Sequence, residues 1–129
     1  MRKIIPVLCL VLASCFVHAK AEDGQLTAEY LPLSPKFIVN LKEWKTFLRV
    51  DAQLLVSSEK DAEKIRAHLP PVRHALIMLF SNYGKDDLTT NEQREQLREK
   101  ALEETKATLK KYAHVNGVKD LFFTEFLIQ

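Results

Sequence analysis

Glycine is scarce, with three residues in 129. That scarcity excludes the glycine-rich loops that cradle phosphates and dinucleotides. No G-x-S-x-G turn surrounds Ser57, Ser58 or Ser81, so an activated serine is not visible either. Cysteine is scarcer still: Cys9 and Cys15 both lie near the N-terminus. The rest of the chain has no thiol, hence no disulfide framework and no cysteine-based zinc set. The later histidines, His68, His74 and His114, never pair at i,i+4. No metal site, cofactor-binding site or catalytic residue is assigned from these patterns. Excess charge of one sign is also missing. There are 19 basic against 17 acidic residues, and removing Arg2 and Lys3 brings the two to parity. A near-neutral domain offers no electrostatic case for nucleic acid or for general adhesion to an acidic membrane.

What the chain does have begins at the N-terminus. Arg2 and Lys3 precede an uncharged apolar run from Ile4 to Val17, and small residues follow at Ala19 and Ala21. This is the anatomy of an export signal, and the run is short for a membrane span, which takes about 20 apolar residues. Three fates are compatible with it. Cleavage near Ala19 or Ala21 removes a signal peptide spanning residues 1–19. "LASC" (Leu12 to Cys15) resembles a lipobox, in which Cys15 is acylated and residues 1–14 are lost. The run can also be retained as a short anchor. Residues 20–29, polar and containing Gly24, read as a flexible leader, and residues 30–129 as one domain. About 110 residues suffice to build a core without cross-links.

"YLPLSPKFIVNL" (Tyr30 to Leu41) opens with prolines and turns β-prone at Phe37. Next, Leu48, Val50, Ala52, Leu54 and Val56 alternate with Arg49, Asp51 and Gln53. Period two predicts a strand with one buried and one wet face. The short link near Lys42–Glu43 suits a hairpin. Ser57 or Ser58 then caps a helix carrying Ala62, Ile65 and Leu69 on one face. "LPP" (Leu69 to Pro71) ends that helix and starts another, apolar all round from Ala75 to Phe80, with Gly84 as its C-cap. Asp86 to Thr90 read as a polar loop. Thr89 with Glu92, or Thr90 with Gln93, makes a capping box for a helix reaching about His114. Its stripe is Ala101, Leu102, Thr105, Leu109, Tyr112 and Ala113, and Gly117 is expected to stop it. "VKDLFFTEFLIQ" is the final strand; simple alternation places Phe122, Thr124, Phe126 and Ile128 on one side. The class is α+β, a small antiparallel or mixed sheet in β-β-α-α-α-β order packed on helices.

Two groupings invite a chemical reading. Asp86 and Asp87 are adjacent acids beside a glycine, but in a polar capping context they read as a solvated loop. Trp44 with Phe47 could stack a ligand; such a pair is more commonly the packing of a strand edge. The apolar circumference of the second helix and the apolar residues on both sides of the last strand point instead to self-association. Met78, Phe80, Phe122 and Ile128 are the interface candidates.

Three segments taken together resemble the FliL family of flagellar basal-body-associated proteins: "YLPLSPKFIVNL", "HLPPVRHALIMLFSN" and the ending "FFTEFLIQ". The residues that carry the likeness are Pro35, Phe37, Val39, Asn40, Pro70, Arg73, Phe123, Thr124, Phe126 and Gln129. The resemblance implies a fold akin to stomatin-type (SPFH) domains. It also implies a non-enzymatic role in motility and chemotaxis beside the flagellar stator, on the periplasmic side of the inner membrane. Its implied partners are stator and basal-body proteins and further copies of itself, assembled in ring-like fashion. Family members usually keep a transmembrane helix, and this front end departs from that pattern. A stand-alone periplasmic or lipidated binding module that reuses the domain is the alternative reading.

Overall fold

The computed structural model describes residues 27–129; the export-signal, lipidation and cleavage readings at residues 1–19 and Ala21 lie outside them. Four strands and three helices follow in the order β1 (Glu29–Pro32), β2 (Phe37–Asn40), β3 (Phe47–Val56), α1 (Glu59–Arg66), α2 (Leu69–Ser81), α3 (Asn91–Ala113) and β4 (Val118–Ile128). The fold is α+β, as expected, with an all-antiparallel sheet. The proline-led segment is two strands rather than one, and β1 starts one residue inside the expected leader. Both pair with the same edge of β3: β1 with its C-terminal half and β2 with its N-terminal half. On its other edge β3 pairs with β4 along almost its whole length.

All five apolar positions of β3, Leu48, Val50, Ala52, Leu54 and Val56, are fully buried. Their partners on β4 are Ile128, Phe126, Phe123, Leu121 and Val118. Directly opposed residues of an antiparallel pair share a face, so all five β4 side chains point into the core. Simple alternation cannot do this, because it separates Phe123 from Phe126. Two bulges reconcile the pattern. Thr124 is the extra residue beside Asp51, and Lys119 is the extra residue between the Leu55 and Val56 pairings. The reading that placed Phe122, Phe126 and Ile128 together is therefore corrected: Phe126 and Ile128 pack on the core, and Phe122 faces outward.

The helices cover that inner face. Ser58 caps α1, its hydroxyl accepting the Asp61 N–H at 3.2 Å. Pro70 and Pro71 occupy the first turn of α2, where their missing N–H groups cost nothing. Only one face of α2 is buried, through Val72, Leu76 and Phe80, while Ile77 and Met78 are exposed. The apolar circumference implied burial on more than one side; within the domain one side is buried, and Phe80, enclosed there, is not accessible as an interface residue. Asn82 is the C-cap of α2. Gly84 instead opens a 3-10 turn over Lys85–Leu88 that buries Leu88, so the expected polar loop has an apolar anchor. The Thr90–Gln93 capping box starts α3. Its buried stripe is Leu97, Ala101, Thr105 and Leu109, whereas Tyr112 is exposed. His114 ends α3 in the left-handed region at φ 52, not Gly117. Gly117 is small for another reason: a Cβ there would lie 2.0 Å from the Asp61 carboxylate and 2.5 Å from the Ser57 hydroxyl. Among the described residues no helix is long and apolar enough to cross a membrane.

Candidate functional site

Arg73 projects from the first turns of α2 toward the loop between β1 and β2. Its guanidinium donates to the carbonyls of Leu33 (2.8 Å) and Pro35 (2.6 Å) and lies 4.3 Å over the Phe37 ring. Burial draws its pKa below the ordinary guanidinium value, since both acceptors are neutral. From Phe37 an aromatic series crosses the core. Phe37 meets Phe80 edge-on at 5.6 Å, Phe80 meets Phe123 at 6.0 Å, and Phe123 meets Phe126 at 5.6 Å. Arg94, on the first turn of α3, closes the series 4.9 Å over Phe126. The structure thus joins Pro35, Phe37, Arg73, Phe123 and Phe126, which lie far apart in the sequence. Val39 is buried beneath the same sheet, and Gln129 extends the ladder by exchanging hydrogen bonds with Phe47 at 2.7 and 2.9 Å. Asn40, Pro70 and Thr124 are exposed and stand apart from the series.

Between β4 and the N-terminal half of α3 lies a groove of about 460 Å³ lined by Arg94, Glu95, Arg98, Phe122, Phe123 and Phe126, among others. Arg98 organises it. The guanidinium donates to both Glu95 carboxylate oxygens at 2.9 Å, to Asp120 at 2.6 Å and to the Leu121 carbonyl at 2.9 Å. The Glu95 hydrogen bonds come first in raising the pKa of Arg98, and they hold Glu95 below its ordinary value. The i,i+3 spacing of Glu95 and Arg98 was legible in the sequence. The link to Asp120, 22 residues on, had no signal there.

The outer face of the sheet is covered by no described element. It exposes Tyr30, Ile38, Phe47, Phe122 and Leu127 around a row of charges. Glu125 pairs with Lys36 and, at 3.2 Å, with the Nε of Arg49. These cations, Lys36 foremost, hold the Glu125 carboxyl below its ordinary value. Asp86 and Asp87 are exposed; the Asp87 carboxylate accepts the Gly84 N–H at 2.8 Å and shapes the 3-10 turn. Trp44 is not edge packing. It stands on the β2–β3 turn with 85% of its surface exposed. His68 and His114 sit at helix ends and His74 is exposed. Among the described residues no three His, Cys, Asp or Glu side chains converge as a metal-ligand set.

Comparison with known proteins decides what this arrangement belongs to. The family described as "Flagellar basal body-associated protein FliL" matches residues 30–129, which is nearly all of the described domain. The chain belongs to the FliL family. It is also similar to the flagellar protein FliL of Aquifex aeolicus, with 32% identity over 99 residues. That alignment covers 75% of this chain but 59% of the relative, so the chain spans well under two thirds of that protein's length. Membership ties the chain to the flagellum, to motility and to the basal body, where the family is a structural or accessory component.

Proposed function

We propose that this domain is a non-enzymatic accessory of the flagellar motor. It works beside the stator, on the periplasmic side of the inner membrane, in swimming and chemotaxis. The observation that carries this reading is the family match across residues 30–129. The geometry agrees with a scaffold. The polar side chains described above are spent on holding loops and strands, as with Arg73 on the Leu33 and Pro35 carbonyls and Arg98 on Asp120 and Leu121.

The scaffold reading includes self-association. The outer sheet face exposes five large apolar side chains, and among the described residues the outer edge of β4 pairs with no strand. Exposed apolar faces and unpaired edges mark association surfaces. Head-to-tail contacts between copies close into rings when the rotation permits. Phe122 and Met78 remain the accessible candidates; Ile128 contributes mainly to the core. The N-terminal segment supplies export, with cleavage, lipidation at Cys15 or retention deciding the tether.

The test is a fluorescent fusion of the full chain, expressed in the deletion strain, with swimming speed and focus formation at flagellar bases as readouts. Foci that depend on the stator, and slowed or misdirected swimming in the deletion strain, are expected. Wild-type swimming in the deletion strain, with diffuse envelope fluorescence, would leave the stand-alone binding module as the better reading. Intact mass of the purified protein identifies the N-terminus.

A further inference from the structure

β4 completes the core from the end of the fold, and the slot it fills is an exacting one. Its inward side chains, Val118, Leu121, Phe123, Phe126 and Ile128, cover the five buried positions of β3. Phe123 also meets Phe80 of α2, and Asp120 accepts from the Arg98 guanidinium of α3. The five positions are spaced by three, two, three and two, because a bulge lies within each step of three. A regular strand has period two and cannot present that spacing. The slot along β3 therefore selects its occupant, and the sequence that matches it is that of β4. A second copy of this chain carries the same strand; a different protein would have to reproduce both bulges.

The link that delivers β4 is short and strained. α3 ends at Ala113 and β4 begins at Val118. Between them His114 holds a left-handed φ of 52, which costs energy in any residue with a Cβ. Val115 is buried, and its N–H donates to the Leu109 carbonyl at 3.3 Å. Gly117 is pressed against Ser57 and Asp61 with no room for a side chain. Short hinges under strain invite exchange of the element that follows them. In such an exchange every contact of β4 is remade with a second copy, and only the link changes its path. Confinement of copies at one place supplies the effective concentration that exchange needs.

We propose that copies of this chain assemble by exchanging β4, residues 118–128 of each lying along β3 of another. An open series would leave one β3 bare and one β4 without a slot, so the assembly closes, as a pair or as a ring. This rests on the self-association proposed above and gives it a contact.

Gln53 and Phe122 are opposed on the outer side of the sheet. Opposed residues of an antiparallel pair have Cα atoms about 5.5 Å apart or closer, within disulfide reach. Two differently tagged full chains, one with Gln53→Cys and one with Phe122→Cys, are co-expressed in cells and oxidised with copper phenanthroline. A covalent dimer bearing both tags is expected. Neither chain should give it alone, which controls for Cys9 and Cys15. The two substitutions placed in one chain verify that this pair of positions closes in the folded protein. His114→Gly, which removes the left-handed strain, should lower the mixed product about fivefold. A disulfide in the double variant with no mixed product would overturn the exchange. If a lysine-reactive cross-linker still traps oligomers in those cells, self-association stands without exchange. If it traps none, both readings fall.

Discussion

One face of the sheet buries Leu48, Val50, Ala52, Leu54 and Val56 against five apolar partners on β4. The other leaves Tyr30, Ile38, Phe47, Phe122 and Leu127 in solvent around Glu125 and its two cations. Both faces carry large apolar side chains, so composition does not distinguish them. What distinguishes them is coverage. The inner face has three helices over it, and the outer face has no described element. Apolar surface that a fold leaves uncovered beside fixed charges is available for recognition, whereas the same residue types under a helix serve stability.

The sharpest way to break this comparison is to treat two neighbours on α2 alike. Phe80 is fully buried and Met78 is 53% exposed. Phe80→Ala is expected to cost about 3–5 kcal/mol, the range for deleting a buried aromatic ring. Met78→Ala should stay within about 0.5 kcal/mol, as surface changes do. Urea unfolding of the two variants checks it; comparable losses would mean that the outer surface of α2 is not free in the native protein.

A smaller effect is expected at the bulge. Thr124 is the surplus residue opposite Asp51. Deleting it leaves the Phe123–Ala52 and Phe126–Val50 pairings in place and removes that bulge, with the one at Lys119 retained, so the loss should be under about 1 kcal/mol. Deletion of a paired strand residue, by contrast, turns every later side chain to the opposite face. A deletion of Thr124 that unfolds the domain would show that the bulge does more than hold the register.

The smallest effect belongs to the outer charges. Glu125 has a folded pKa below its ordinary 4.5, Lys36 being the leading cause. A depressed carboxylate adds stability above the unfolded pKa and loses it as pH falls through the folded one. The contribution should therefore be complete at neutral pH and fade below pH 4.5. Glu125→Gln should flatten the melting-temperature profile in that range and leave neutral stability nearly unchanged. A large loss at pH 7 would place the pair in a more buried setting than the outer face provides.

Much of this was legible in advance, for identifiable reasons. The alternation of β3 is a regular local period, and helix caps have local chemistry, so each cap was narrowed to two adjacent positions, of which the structure uses Ser58 and Thr90, and the strand was readable from neighbouring residues. The two bulges on β4 were not, because a surplus residue is defined only against a partner strand some 70 positions away. Gly84 and Gly117 were misassigned as helix stops. Their smallness answers to Glu43, Ser57 and Asp61, contacts that exist only after folding. The convergence of Arg73, Phe37, Phe123 and Phe126 was implied by the family likeness as a set of residues, but not as a place. Trp44 was read as edge packing because Phe47 is near it in sequence, whereas the β2–β3 turn leaves the indole 85% exposed.

The position of β3 at the centre of the sheet has a consequence for the order of events in the cell. One edge of β3 finds β2 and β1 at separations from 7 residues (Asn40 to Phe47) to 27 (Glu29 to Val56), and the other must wait for residues 118–128. Until those residues have been made, the face built on Leu48 to Val56 lacks half its cover and the helices have no complete floor to settle on. Pairings so distant in sequence are slow to form. A sheet wired in this way is complete only once residues 118–128 are in place along β3.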